Sequence, residues 1–476
     1  MSFVIYDLVF LVVFTLVVVL FLYKKRANLQ RQGILYLYRT KLGIKLMDWT
    51  VSKFSGILKP AQFIVIVSGY ILMVSMIWLL IKTAYLYITS PIIAQLIKAP
   101  PIAPLIPYFP TIFKLESYFP PLYFTYFLIA LIIVAVSHEF SHGIFARLNK
   151  IKIKTTGFAF LGPILGAFVE PDEKQMQKAK KFPQLAILAA GTFANVIMTV
   201  IFGIALLCFF AISFSPAGVQ FNSYATSAIN PLEITQISGK QIDNITNLVY
   251  LDEGYVSQYL EKDIVNITVN ERVFLIQSKN LLIALENNAQ NVFVYDDAPA
   301  VKAGIKGAIV KINGNSVQDP ERLKLELEKY SPGDKISVNT LEDGEINTYE
   351  IELGERDNSA YLGVGFVNPN RGIIIESFMS QIEKVKNPFV YYEPKRYGEI
   401  AWFIYYLLWW ITVINILVAL FNMLPLSILD GGRFFYLTVW GITGNEKFGK
   451  RAFSFATWFI VFLLLAMMVK WVFIFF

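Results

Sequence analysis

Histidine and cysteine are nearly absent from this 476-residue chain, which has two histidines and one cysteine. A single cysteine, Cys208, excludes an internal disulfide bond and a cluster of thiolate metal ligands. Charged residues are also scarce at 16%, whereas hydrophobic residues make up 55% of the chain. This composition excludes an ordinary soluble enzyme and indicates a membrane protein with several spans and some soluble mass.

Six apolar runs have about the length that is needed to cross a hydrocarbon core of roughly 30 Å. The predicted spans are Val4–Tyr23, Phe63–Ile81, Leu122–Phe145, Gln184–Ile212, Glu399–Phe421 and Phe453–Phe475. The first run has no Ala-x-Ala-like cleavage site, so we expect a retained anchor rather than a removed signal peptide. Basic residues directly follow the first and third runs, and the positive-inside rule then places both chain ends outside the cytoplasm.

The net charge of +7 does not predict a nucleic-acid partner, because the basic residues cluster beside the apolar runs. The segment between Tyr23 and Pro60 has nine Lys or Arg residues and one acid, Asp48. Such a segment suits the cytoplasmic surface. It is predicted to be either an interfacial helix on anionic lipid or a solvated basic loop.

Both histidines lie in one predicted span, in the sequence Ser137-His138-Glu139-Phe140-Ser141-His142. On a helix, positions i and i+4 share a face, so both imidazoles can reach one cation, while Glu139 can handle a proton beside them. A charged side chain at mid-span costs about 2.5–3.5 kcal/mol, which indicates a functional reason for these residues. The pattern is typical of zinc hydrolases. Because Arg147 follows closely, we expect the site near the cytoplasmic face.

A catalytic zinc site usually has three protein ligands and an open position for water. With both histidines used, Asp430 is the favoured third ligand, Glu170 is the second candidate, and Cys208 is the least favoured. Two alternative interpretations of Asp430 are an ion pair with Arg433 and a helix cap. Asn195, a polar residue in the fourth span, is either a hydrogen-bond donor to the reacting oxygen or an interhelical contact.

The segment Thr155–Glu170 is apolar but contains three glycines and Pro163, so a regular span is unfavourable. We predict two short paired strands joined by a Gly162-Pro163 turn. Strand edges are not tolerated in lipid, so this segment should pack against the helices or line a cavity.

The soluble part, about Ser213–Lys395, contains an internal repeat in which Ile234–Ile242 and Ile309–Val317 match at an offset of 75. Each copy is predicted to form a strand, a turn, a short strand, a helix (Ile245–Tyr250 or Pro320–Lys329) and further strands. The second copy, about Asn288–Gly354, resembles a PDZ domain. The first is a PDZ-like candidate. PDZ domains bind extended peptides by strand addition, and the alternative role here is a lid or spacer without a ligand.

Three motifs resemble the site-2 protease family of intramembrane zinc metalloproteases. They are His138-Glu139-x-x-His142, Gly191-x-x-x-Asn195 and Asn422-x-x-Pro425-x-x-x-Leu429-Asp430-Gly431. The resemblance covers about Leu122–Ile212 and Glu399–Trp440. It implies that His138, His142 and Asp430 bind Zn²⁺ and that Glu139 is the general base, with Asn195 and Asn422 as candidate supports for the oxyanion or substrate. It also implies that membrane-anchored proteins are cut within or beside a transmembrane helix, often after an earlier cut outside.

The expected architecture is a polytopic α-helical membrane protein of about six spans with an inserted extracytoplasmic α+β region of one or two PDZ-like domains. The predicted regions are 1–121 (two spans and the basic loop), 122–212 (first part of the catalytic core), 213–287 (PDZ-like candidate), 288–395 (PDZ-like domain and connector) and 396–476 (second part of the core). A prokaryotic cell membrane is the expected location. The alternatives are a membrane-tethered PDZ scaffold with a structural or inactive metal site, and a transporter.

Overall fold

A computed structural model describes residues 3–33, 35–89, 105–116, 118–162, 164–242, 245, 264–286, 289–342, 344–368 and 373–475. Its helices are α1 (Phe3–Lys24), α2 (Ile44–Thr89), α3 (Phe109–Ile112), α4 (Phe124–Leu148), α5 (Glu173–Lys178), α6 (Lys181–Ser213), α7 (Ser278–Glu286), α8 (Pro299–Ala303), α9 (Pro320–Leu327), α10 (Ile373–Glu383), α11 (Gly398–Asn422), α12 (Asp430–Thr443) and α13 (Glu446–Phe475). Its strands are β1 (Leu29–Gln32), β2 (Leu35–Thr40), β3 (Ile153–Leu161), β4 (Ile164–Pro171), β5 (Phe214–Val219), β6 (Ser223–Tyr224), β7 (Thr226–Ile229), β8 (Ile234–Ile237), β9 (Lys240–Gln241), β10 (Ile264–Val269), β11 (Arg272–Gln277), β12 (Val292–Asp296), β13 (Ala308–Ile312), β14 (Asn315–Ser316), β15 (Lys335–Glu342), β16 (Glu345–Glu352), β17 (Gly354–Arg356), β18 (Ser359–Tyr361), β19 (Val364–Gly365) and β20 (Val390–Pro394).

Six helices among the described residues are long and apolar enough to cross a membrane, which confirms the six predicted spans. They are α1, α2, α4, α6, α11 and α13. Helix α2 is much longer than the predicted span, at 46 residues, and continues through Pro60. At 1.5 Å per residue it is roughly 70 Å long, so it extends well beyond one hydrocarbon core.

The chain divides into two compact units, a membrane unit of residues 1–208 and 402–476 and an inserted unit of residues 209–401. In the membrane unit, small residues allow close contact between helices. A Cβ added at Gly69 of α2 would lie 2.9 Å from the Cβ of Ala189 of α6, too close for a larger residue. Ala186, Ala189 and Ala190 are all buried in the same cluster. This packing brings α2 and α6 into close contact.

A four-stranded antiparallel sheet in the membrane unit has the order β1-β2-β3-β4. The predicted hairpin of Thr155–Glu170 is confirmed as β3 and β4. Gly162 adopts a φ of +58° at the turn, and Pro163 lies outside the described residues. The prediction of a loop or interfacial helix for the basic segment is wrong for β1 and β2. Tyr38 of β2 pairs with Phe158 of β3, so this second hairpin extends the sheet.

The inserted unit contains two large sheets, and the sequence repeat corresponds to a repeated strand pattern. In the first sheet β8 pairs with both β9 and β10, and β10 pairs with β11. In the second sheet β13 pairs with both β14 and β15, and β15 pairs with β16. Helix α9 follows the second copy as predicted, while the predicted helix Ile245–Tyr250 lies outside the described residues except for Ile245. The PDZ assignment itself stays a prediction.

Each sheet contains strands from both sides of the predicted domain boundary between residues 287 and 288. The first sheet has the order β7-β12-β11-β10-β8-β9, so β12 joins it from the far side of that boundary. The second sheet has the order β16-β15-β13-β5-β20, and β5 comes from the near side. The two halves of the inserted unit are therefore interleaved along the chain.

Candidate metal centre

The two histidines of the chain lie side by side on helix α4. Their side chains are buried, and His138 Nε2 lies 3.0 Å from His142 Nε2, as expected for residues four apart on one helical face. Asp430 is the first residue of helix α12, and its Oδ2 lies 3.2 Å from each of these nitrogens. Three potential ligand atoms from two distant parts of the sequence therefore surround one point.

The spacing of these atoms fits a tetrahedral metal ion. Zinc bound to nitrogen and oxygen at about 2.0–2.1 Å holds its ligands roughly 3.3 Å apart. The three distances of 3.0, 3.2 and 3.2 Å are close to that value. Two imidazoles and one carboxylate are also a common ligand set for catalytic zinc.

Gly191 of α6 leaves space beside the histidines. A Cβ built at this position would lie 2.5 Å from His138 Nε2 and would also collide with His142 Nε2. A side chain here would therefore clash with the nitrogens that would bind a metal. The sequence indicated Gly191 only as part of the motif Gly191-x-x-x-Asn195, and that motif does not reveal how close Gly191 lies to the histidines.

Both imidazoles are oriented by hydrogen bonds from their second nitrogen. His142 Nδ1 donates to the carbonyl of Ile187 at 2.6 Å, which leaves Nε2 without a proton and able to bind metal. The side-chain amide of Asn195 lies 3.1 Å from His138 Nδ1.

Asn195 can serve His138 in the same way. Binding of metal at Nε2 leaves the proton on Nδ1, so the partner must be the amide oxygen of Asn195, whose two amide atoms exchange on a 180° rotation. The amide nitrogen can then donate to the hydroxyl of Ser137, which itself donates to the Ile133 carbonyl at 2.8 Å. Asn195 is fully buried. The hydrogen bonds of Asn195 are those of a side chain that orients the His138 ring.

Glu139 faces the edge of the membrane sheet. Its Oε2 accepts a hydrogen bond of 2.8 Å from the backbone N–H of Val169 in β4. The carboxylate is thus held next to the histidines by a strand that comes from a different part of the chain. This contact was not predicted, because backbone partners leave no mark in a sequence.

The connection between α11 and α12 places Asp430. Helix α11 ends at Asn422, before Pro425, and α12 begins at Asp430. A Cβ at Gly431 or Gly432 would collide with the backbone carbonyl of Met423 or Leu426, so only glycine permits this tight approach. Asn422 is partly exposed at the end of α11, and its role stays a prediction.

The contacts around Asp430 do not support its two other interpretations, an ion pair and a helix cap. Arg433 donates to Glu173 at 2.8 Å and to Gln184 at 3.3 Å, so an ion pair with Asp430 does not explain the aspartate. The N-cap position of α12 is Leu429, not Asp430. The structure thus brings Asp430 to the histidines.

The second candidate ligand, Glu170, is engaged elsewhere. Its carboxylate accepts hydrogen bonds from Thr155, at 2.8 Å, and from Arg39 of β2. The hydrogen bond from Thr155 and the charge of Arg39 hold the pKa of Glu170 below its ordinary value. Glu170 therefore joins the two hairpins, and it is absent from the metal-binding group found among the described residues, as is Cys208.

The sequence matches Peptidase family M50 over residues 126–467, well over half of the chain. The chain belongs to this family. M50 comprises the site-2 proteases, so the resemblance drawn from the three motifs is confirmed, and the six apolar helices agree with a membrane protein of this family. The chain is also 44% identical over 72 residues to the uncharacterized protein MJ0971 of Methanocaldococcus jannaschii. That alignment covers 15% of this chain and about a fifth (20%) of the relative's length.

Proposed function

We propose that this M50 peptidase is a zinc-dependent endopeptidase that hydrolyses peptide bonds within or next to transmembrane segments of membrane-anchored proteins. The observation that carries the proposal is the approach of His138 Nε2, His142 Nε2 and Asp430 Oδ2 to within 3.2 Å of one another, with Glu139 next to His138. These residues belong to an apolar bundle of helices long enough to span a membrane. Regulated intramembrane proteolysis is the biological setting that fits such a site.

The residues of the chain divide the chemistry between them. A zinc ion held by the two histidines and Asp430 would supply Lewis-acid activation of water and of the scissile carbonyl. Glu139 accepts the proton of the attacking water and later donates it to the leaving amine. The N–H of Val169 fixes the Glu139 carboxylate, while Asn195 and the Ile187 carbonyl hold the imidazole rings in the required orientation.

The outer edge of β4 is suited to bind an extended substrate. Among the described strands β4 ends the sheet, and the N–H of Val169 points away from β3 towards Glu139. Because strand backbones alternate with a period of two, Ala167 and Leu165 present their N–H and C=O groups on the same edge. A substrate must unwind to pair there, so helix-weakening residues near the cut should favour cleavage.

We also propose that the inserted unit lies outside the cytoplasm and binds peptide. The basic residues that follow α4, Arg147, Lys150, Lys152 and Lys154, favour a cytoplasmic end for that helix and thus an outer location for the insert after α6. In the insert, a cavity of about 520 Å³ lies between α9 and the segment that contains β19. Leu323, Leu327 and Val364 line it, which suits an apolar side chain of an extended peptide.

The proposal is tested by zinc content and by cleavage of a single-span substrate in lipid vesicles. We expect Glu139→Gln to fold and retain zinc but to lose activity by 10²-fold or more, because it cannot accept the proton. Asp430→Asn should lose zinc and activity, whereas the control Glu170→Gln should keep zinc. Full zinc and activity in Asp430→Asn together with loss of both in Glu170→Gln would show that the ligand set is wrong.

The same variants separate the competing functions. A scaffold with a structural metal site predicts that Glu139→Gln changes nothing that can be measured. A transporter predicts ion flux that depends on His138 and Asp430 without any cleavage. Peptide bond hydrolysis that is lost in Glu139→Gln supports neither of these alternatives.

A further inference from the structure

A small apolar cavity of about 230 Å³ lies directly beside Glu139. Helix α4 contributes Val136, Glu139 and Phe140 to its wall. Apart from the Glu139 carboxylate and the hydroxyls of two threonines, the side chains that line it are apolar. The cavity therefore adjoins the catalytic base and offers few of the hydrogen bonds that a polar ligand would need.

One face of the membrane sheet forms a second wall. Thr156 pairs with Val169 and Phe158 pairs with Ala167 in the β3–β4 register, so all four side chains lie on one face of the sheet. All four line the cavity. The small side chain of Ala167 helps to keep the space open next to the outer edge of β4.

The third wall comes from the segment before the M50 match. Leu42, Leu46 and Met47, at and just before the start of α2, line the cavity. These residues precede position 126, where the match to the family begins. The shape of the cavity is therefore set in part by the additional N-terminal elements of this chain.

The hydrogen bond between Val169 and Glu139 relates the cavity to the position of the cut. A strand added to β4 can pair with Ala167 and Leu165, but the N–H of Val169 is already used by Glu139. One substrate residue pairs with Ala167. The part of the substrate that lies next to Glu139 is therefore the part beyond that residue. Side chains of a strand stand perpendicular to the sheet, so alternate residues of that segment face the cavity.

We propose that this cavity is a specificity pocket for a large apolar side chain, aromatic or branched aliphatic, on the substrate residue next to the scissile bond. A dry cavity of roughly 150 Å³ can hold a benzene ring, so 230 Å³ is large enough for the side chain of leucine or phenylalanine. Alanine would leave most of the volume empty. The inference rests on the proposed function, because it assumes that Glu139 acts on a peptide bond.

The test compares kcat/KM for single-span substrates that differ only in having Ala, Leu, Phe or Trp next to the cut. Hydrophobic pockets discriminate about 10–200-fold for a difference of one methylene, so for the wild type we expect Phe to exceed Ala by at least that range. Ala167→Leu fills the pocket and should reduce this ratio at least tenfold. Ala159→Leu makes the same change on the opposite face of the sheet, outside the cavity wall, and should leave the ratio unaltered.

Leu46→Ala provides a second variant with the opposite effect. Leu46 is 53% exposed, so its truncation to alanine does not threaten the fold. The truncation widens the cavity from the α2 side. We expect the preference to shift from Phe towards Trp by about tenfold. This variant decides the question if Ala167→Leu does not fold.

Failure of the pocket is distinguishable from failure of the proposed function. Suppose that wild type cleaves and Glu139→Gln does not, but the Phe-to-Ala ratio is unchanged in Ala167→Leu and the Trp-to-Phe ratio is unchanged in Leu46→Ala. The proposed peptidase function is then supported, and the pocket is refuted. The cavity would then hold a lipid chain or remain dry. If Glu139→Gln cleaves like the wild type, the proposed function fails and the pocket assignment fails with it.

Discussion

Gly191 is the residue whose identity is most narrowly fixed by the candidate site. In most helices a glycine is less favourable than alanine by about 1 kcal/mol, so its place in the middle of α6 needs a reason. The reason is space, because any Cβ at this position would collide with the Nε2 atoms of His138 and His142. The backbone of α6 thus forms one side of the candidate metal centre.

We predict that Gly191→Ala removes metal binding without unfolding the protein. A Cβ 2.5 Å from His138 Nε2 forces the imidazole to move, whereas alanine itself favours the helix. Loss of the hydrogen bond between a metal-binding side chain and its outer partner lowers metal affinity by about 10–100-fold. We expect zinc affinity to fall at least as much in Gly191→Ala. Zinc content and the thermal unfolding midpoint are measured together.

The control for this prediction is Gly203→Ala in the same helix. Its Cβ would lie 3.7 Å from Thr412 Cγ2, an ordinary contact, so zinc affinity should be unaltered. Wild-type zinc content in Gly191→Ala would mean that the histidines bind metal in a different rotamer or not at all.

The three residues of the candidate metal centre could be predicted from the sequence because chemistry leaves few choices. The chain has two histidines, and Asp430, 292 positions after His138, was the favoured third ligand. The contacts that orient these ligands could not be predicted. They involve the backbone of Ile187 and Val169, and a backbone partner has no residue type that a sequence could reveal.

Helix α1 holds the N-terminus of helix α4, which carries both histidines. The carboxylate of Asp7 is buried and accepts hydrogen bonds from the N–H groups of Phe124 and Thr125, at 2.7 and 2.9 Å, and from the Tyr108 hydroxyl at 2.6 Å. The first N–H groups of a helix have no partner within it. In an apolar surrounding they must find one elsewhere, and Asp7 supplies it from a neighbouring helix.

We predict that Asp7→Ala destabilises the membrane unit by about 1–3 kcal/mol, because buried donors at the start of α4 lose their acceptor. The free energy of unfolding in detergent micelles measures the effect. Thr15→Ala is a suitable control in the same helix, since the Thr15 hydroxyl only donates to the carbonyl of Leu11 one turn before it. Equal stability of the two variants would show that α1 is merely an anchor.

The β1–β2 hairpin shows why one element was missed. Nine basic residues between Tyr23 and Pro60 favoured a surface segment, and two strands of four and six residues are too short to show clear alternation. What stabilises the hairpin is distant in sequence. Arg39 reaches Glu170 and Thr155, both more than a hundred residues away. A signal was nonetheless present in Gly33, whose φ of +62° turns the chain between the strands.

Hydropathy predicted the membrane spans because each helix must satisfy its own backbone in lipid. No comparable constraint acts on the inserted unit. Its sheets take in β5 and β12 from across the predicted boundary, and β5 pairs with β20 about 170 residues further on. Pairing at such separation depends on tertiary packing, so the repeat was visible in the sequence but its true limits were not.

The orientation of the protein in the membrane is simple to test because cysteine is scarce in the chain. Cys208 is the only cysteine, so Cys208→Ser provides a background without thiols. Lys306→Cys then marks the inserted unit and Gln32→Cys marks the β1–β2 hairpin, and both positions are exposed. Because Lys24, Lys25 and Arg26 follow α1 directly, the hairpin should face the cytoplasm.

In intact cells, a membrane-impermeant maleimide should label Lys306→Cys and should reach Gln32→Cys only after the membrane is permeabilised. Each protein is first checked for cleavage activity, so that labelling reports on a folded molecule. The reverse pattern would place the inserted unit in the cytoplasm. A peptide bound in its cavity would then have to be cytoplasmic, and the positive-inside argument would fail for this chain even though the metal centre would be unaffected.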